Sequence, residues 1–169
     1  MYSKDSISSP VWPLLLLLLT LSGCGFHLKG YQQAASPALN GLYVERGEER
    51  GTLAGTLAHN LRTGGVELAA DARSAKARVK ITQERLQSRV LAVDANGKAL
   101  DSELQLEASF RLTPASGDEP TTQTLELVRQ LSYSGSDELG QRNEAALLAD
   151  DMRNDMANQI IRRLEALLQ

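Results

Sequence analysis

The chain has 169 residues, which at about 100–200 residues per domain leaves room for one domain and little more. Its 18 Lys and Arg against 21 Asp and Glu give a net charge of -3, so the basic footprint expected of a nucleic-acid binder is missing. One cysteine and two histidines exclude an internal disulfide and a cysteine/histidine zinc cluster, and no cofactor or metal motif is present.

The N-terminus reads as an address. A polar stretch carrying Lys4 and Asp5 precedes six consecutive leucines, Leu14 to Leu19, and the apolar run ends at Ser22-Gly23-Cys24. From Val11 to Leu21 the run is well short of the roughly 18–20 residues that span hydrocarbon, and it closes on small residues that fit a peptidase. Leu21-Ser22-Gly23-Cys24 resembles the lipobox of bacterial lipoproteins. That resemblance implies a signal peptide over 1–23 that is cleaved, an S-diacylglycerol and an N-acyl group such as palmitate on Cys24, and a lipid-anchored mature chain. Gly25, in place of an aspartate, is compatible in that family with sorting to the outer membrane. Residues 24–40 read as a lipidated tether and 41–169 as the folded body.

Leu42-Tyr43-Val44-Glu45-Arg46 is a short strand rich in β-favouring residues and closed by Gly47. Thr52 then caps a helix whose Leu53, Leu57 and Leu61 recur at helical spacing, and Gly64-Gly65 ends it. From Ala77 to Val93 the pattern is extended, but Val79 and Ile81 share one parity while Leu86, Val90 and Ala92 share the other. A bulge or strong twist near Gln83 to Arg85 would reconcile them. Asp94-Ala95-Asn96-Gly97 predicts a hairpin turn, with Asn-Gly suited to positive backbone angles. In the next strand Leu104, Leu106, Ala108, Phe110 and Leu112 alternate with Gln105, Glu107, Ser109 and Arg111, leaving one wet face.

After a polar loop from Pro114 to Pro120, Leu125, Leu127, Leu131 and Tyr133 continue the meander. The last segment, from about Asn143 to Leu168, carries Leu148, Met152, Met156, Ile160, Leu164 and Leu168 every four residues, an apolar stripe that suits the core. Early Glu144, Asp150 and Asp151 with late Arg162 and Arg163 would complement its dipole. The order predicts an α+β two-layer sandwich, with two helices packed on one face of a four-stranded, mostly antiparallel sheet. Periodicity leaves open which strand the first one joins and in which direction.

No catalytic constellation emerges. His59 sits beside Asn60 on the first helix as a surface or boundary residue, and Glu48-Glu49 and Asp150-Asp151 are adjacent pairs on solvated segments. Lys76, Arg78, Lys80, Arg85 and Arg89 place cations along one strand region, and a bulge near residue 84 would bring them to one wet face. Two readings stay open for them: a charged edge that resists aggregation, or a site for an anionic glycolipid or partner.

Cys24-Gly25-Phe26-His27-Leu28-Lys29-Gly30, together with Asn143-Glu144, Asp151-Met152 and Gln159-Ile160-Ile161-Arg162-Arg163-Leu164, resembles the lipopolysaccharide-assembly lipoprotein family LptE. The resemblance implies a non-enzymatic outer-membrane lipoprotein on the periplasmic side. Such a protein plugs and supports assembly of the LptD β-barrel and helps deliver lipopolysaccharide to the outer leaflet. It also points to cations near the central hairpin tip and before the last helix as lipopolysaccharide contacts; here the matching candidates are Lys98 and Arg142. Two other classes fit the anchor and sandwich: an accessory lipoprotein of another transport or secretion complex, and a lipid-anchored hydrolase built on an acid pair.

Overall fold

The computed structural model describes residues 36–133 and 138–169. A short 3-10 turn at Pro37–Leu39 leads into β1 (Leu42–Val44), α1 (Leu53–Thr63), β2 (Ala77–Val93), β3 (Ala99–Pro114), β4 (Thr121–Ser132) and α2 (Glu138–Leu168). The strands lie in the order β1-β2-β3-β4, with β1 parallel to β2 and the other two pairings antiparallel. This is the expected α+β sandwich, and its open question is resolved by chain length. A parallel neighbour needs a crossover of a dozen or more residues, which α1 and its flanking loops supply.

The helices share one face of the sheet. Leu53, Leu57 and Leu61 of α1 and Met152, Met156, Ile160 and Leu164 of α2 close over Val79, Leu106, Phe110 and Leu112, all of them buried. Asn60 Nδ2 donates to Asn158 Oδ1 at 3.1 Å, tying one helix to the other. Leu39 is fully buried in the same core, and the backbone N–H of Ser36 donates to the Glu165 carboxylate at 2.9 Å. The packed body therefore includes residues 36–40, which composition alone reads as tether; one buried leucine among Gln, Ala, Ser and Asn carries no periodicity.

Thr52 caps α1, accepting from Gly55 N at 3.1 Å, and Gly64 closes it. The hairpin turn differs from the Asn-Gly expectation in that only Gly97 takes a positive φ, of 81°. Gly97 N donates to Asp94 O at 3.0 Å and Asp94 N to Lys98 O at 2.8 Å. That pattern is a three-residue loop in which one glycine absorbs the left-handed position. α2 begins at Glu138, not near Asn143. With its end at Leu168, Arg162 and Arg163 lie upstream of the last turn, where the dipole has little hold on them, so the proposed charge complement does not apply.

The parity change in β2 is a bulge, placed at Thr82. Ile81 pairs with Phe110 and Gln83 with Ser109, so one extra residue is accommodated and everything after it changes face. Leu86 and Val90 thereby reach the helix side, opposite Leu106 and Ser102. A second irregularity at Leu91 returns Ala92, opposite Asp101, to the wet side.

Candidate functional site

Cys24, the expected lipid-attachment residue, lies outside the described residues. Lys98 sits at the base of the β2–β3 turn and is half-buried; Arg142 is exposed on α2, inside the helix and not before it, because the helix begins four residues earlier. Ser132 at the end of β4 pairs with Asp101, three residues from Lys98. Arg142 lies in the first turns of α2, which follows β4 in the chain.

Asp94 builds that turn. Its Oδ1 accepts from Asn96 N at 2.8 Å and Lys98 N at 2.9 Å. The backbone hydrogen bond from Lys98, then that from Asn96, holds its carboxyl below the ordinary value of 3.8. A depressed carboxyl stabilises the turn while ionised and loses that contribution as pH falls through its folded value. The carboxyl carbon of Asp94 should therefore titrate with a midpoint below 3.8, and the Asn96 and Lys98 amide resonances should move with it. A midpoint at or above the ordinary value would show that the turn is not held this way.

The hairpin end also exposes apolar groups. Leu86, Val90, Leu91, Val93 and Leu100 are each between 38% and 55% accessible, because β2 runs on past the helix layer. Several exposed large apolar side chains at one end of a strand pair suit a contact surface.

Glu84 escapes sequence reasoning altogether. The Thr82 bulge turns it to the helix side opposite Ala108. There its carboxylate accepts from Leu53 N at 2.9 Å, at the start of α1, and from Arg153 Nε of α2 at 2.8 Å. Arg153 also reaches Asp150 at 2.8 Å. One carboxylate thus joins the sheet to both helices, and the Glu84 hydrogen bond raises the Arg153 guanidinium pKa further. The available signal is a charged residue on the same parity as Leu86 and Val90 once the bulge is allowed.

The wet face carries Arg78, Lys80, Arg85 and Arg89 of β2, as expected with a bulge, and adds Arg111 of β3 directly opposite Lys80. The acids of its far half are already engaged. Arg89 pairs with Glu103 at 3.0 Å, Gln83 donates to Glu107 at 2.9 Å, and Gln105 donates to Glu126 at 2.7 Å.

His59 is exposed, as are Glu48, Glu49, Asp150 and Asp151. Glu48 meets Arg62, and Glu49 meets Arg46 at 3.8 Å, so these acids serve surface ion pairs. Among the described residues no group of three His, Cys, Asp or Glu gathers to hold a metal, and no helix is long and apolar enough to cross a membrane.

The lipopolysaccharide-assembly family model, LptE, matches residues 39–164. A lipoprotein B from Nitrosomonas europaea shares the fold with a TM-score of 0.64 at 24% identity, over 85% of this chain and 92% of its own. The rare lipoprotein B of Shewanella oneidensis gives 0.61 at 22%, over 71% and 89%. A minor lipoprotein of Acinetobacter baumannii gives 0.53 at 22%, over 70% and 84%. No curated relative matches the chain.

Proposed function

The chain belongs to the lipopolysaccharide-assembly family LptE, and on that premise we propose that it works as a lipid-anchored plug of the outer-membrane barrel LptD. In this reading Cys24 holds the mature protein on the periplasmic side of the outer membrane, and the sandwich seats in the barrel and supports its assembly. The same body helps pass lipopolysaccharide to the outer leaflet. The observation that carries the reading is the span of the family match, residues 39–164, which takes in the whole sandwich from the buried Leu39 to Leu164. A plug acts through its surfaces and uses no enzymatic step. The polar face of the sheet suits a water-lined lumen, and the apolar hairpin end suits a wall or an acyl chain.

Mild detergent extraction of the tagged full chain, followed by identification of what copurifies, tests this directly. Recovery of a large outer-membrane barrel in stoichiometric yield is expected. Recovery of an inner-membrane or secretion complex instead would favour the accessory-lipoprotein reading. For the candidate lipid contacts, the double variant Lys98→Glu and Arg142→Glu should weaken lipopolysaccharide binding about tenfold or more while the thermal melt stays in place, since a charge-assisted contact contributes roughly 1.5–3 kcal/mol. Unchanged binding would remove both residues from the lipid site.

A further inference from the structure

We propose that the end of the wet sheet face where Arg78, Lys80 and Arg111 meet is a binding site for a phosphate monoester, distinct from the hairpin end that carries Lys98. The register places Lys80 directly opposite Arg111, and Arg78 two residues along the same strand and face. Cross-strand partners hold their Cβ atoms about 4.5–5.5 Å apart, and like charges so placed are destabilising. Residues two apart along a strand are about 7 Å apart. Three long cationic side chains therefore reach one tetrahedral oxyanion, with the two guanidinium forks able to donate in pairs.

Edge protection does not account for this cluster. β1 pairs with β2 only at Ala77–Val79, so β2 from Lys80 onward is a sheet edge, and Arg85 and Arg89 guard it. Arg78, however, lies between Tyr43 of β1 and Thr113 of β3, and Arg111 between Lys80 and Thr122 of β4. Neither is on an edge. In a chain of net charge -3 the cluster is also not a by-product of a basic composition.

The charges of this face are sorted. Glu103, Glu107 and Glu126 occupy the far half with their own partners. Near the cluster, Glu45 meets Lys80 at 3.1 Å, while neither Arg78 nor Arg111 makes an ion pair with a described residue. All three cations are exposed, and the hydroxyls of Tyr43, Thr113 and Thr122 are their strand neighbours. Two guanidinium groups, an ammonium and a rim of hydroxyl donors match a dianionic phosphate better than a singly charged carboxylate.

The test compares the full chain with its Arg78→Thr, Arg111→Thr variant in nonionic detergent micelles, by calorimetric titration. The probes, chosen because the proposal rests on the lipopolysaccharide-assembly reading above, are a phosphorylated glucosamine lipid, the same lipid after dephosphorylation, and phosphatidic acid. The variant should bind the phosphorylated glycolipid at least tenfold more weakly, should match the parent on the dephosphorylated lipid, and should melt no lower, because it relieves a like-charge pair. An equal loss on phosphatidic acid would show that the site reads the phosphate alone, and a loss on the glycolipid only would show that the sugar counts as well; either supports the site. Arg78→Lys, Arg111→Lys, which keeps the charge, should retain most of the binding. Equal affinity of the threonine variant and the parent for the phosphorylated lipid, or equal losses with and without phosphate, would overturn the proposal. So would intact lipid binding combined with loss of a copurifying protein, which would assign the cluster to an acidic protein face. The Lys98→Glu, Arg142→Glu variant reports on the hairpin contacts separately, so failure at one place is not failure at the other.

Discussion

Cys24→Ala should leave the protein without incorporated palmitate and release it from the outer-membrane fraction. The argument is one of chain count. A single acyl chain gives marginal, reversible membrane binding, at about 0.8 kcal/mol for each buried methylene, whereas two or more anchor stably. Cys24 is the one residue of its type in the chain, so no other thiol can take over, and without the thiol the diacylglycerol is never added. Metabolic labelling with palmitate reads the modification itself, and fractionation after a chaotrope wash that strips protein partners reads the anchor. Label on the Ala variant, or its retention in the washed membrane, would sink the anchor reading.

The proposed address rests on a local pattern: a leucine run, two small residues and a cysteine within eleven positions. The sandwich is legible for a related reason, since β3 alternates without a break from Ser102 to Leu112 and α2 repeats every four residues from Leu148 to Leu168. What was not legible depends on where separate segments meet. The parity change in β2 announced a bulge, but only the pairing with β3 puts it at Thr82. Arg111 reads as one polar position among several in an alternating strand, and becomes part of a cluster only when the register sets it against Lys80. Glu84 is a charge on an exposed-looking strand until α1 and α2 arrive above it, supplying Leu53 N and Arg153 as donors. Lys98 and Arg142 are candidates through the family resemblance alone. The structure puts Lys98 at the base of the β2–β3 turn, and the earlier start of α2 moves Arg142 from the approach to the helix into the helix itself.

Gly55→Ala should lower stability by about 1–3 kcal/mol, the usual cost of forcing an extra methyl into a filled space. Helix propensity predicts the opposite sign, since alanine is favoured over an interior glycine by about 0.8–1 kcal/mol. Gly55 has an ordinary helical backbone, so local conformation does not require glycine. The space around it does. A Cβ there would fall on the carbonyl oxygen of Glu49, inside van der Waals contact, and 2.9 Å from its carbonyl carbon. That oxygen is not free to retreat. It accepts from the Thr52 hydroxyl at 2.8 Å, and the same hydroxyl accepts from Gly55 N at 3.1 Å.

The loop behind it is held as well, by Gly47 N to Val44 O at 3.2 Å and Glu49 N to Arg46 O at 3.1 Å, with Arg46 already at a positive φ of 59°. At its other end a Cβ on Gly47 would lie 2.8 Å from Ala58 Cβ, so the loop rests on α1 at two glycines. Yielding to a methyl at Gly55 would have to displace Thr52 and disturb the neighbouring contact of Leu53 N with Glu84, which joins α1 to the sheet. Thermal melts should show a drop of several degrees, as a change of this size gives for a domain of this length. Hydrogen exchange at the Leu53 and Gly55 amides should quicken first. A melt that rises with Gly55→Ala would mean that the loop moves aside at little cost and that propensity, not packing, governs the start of α1.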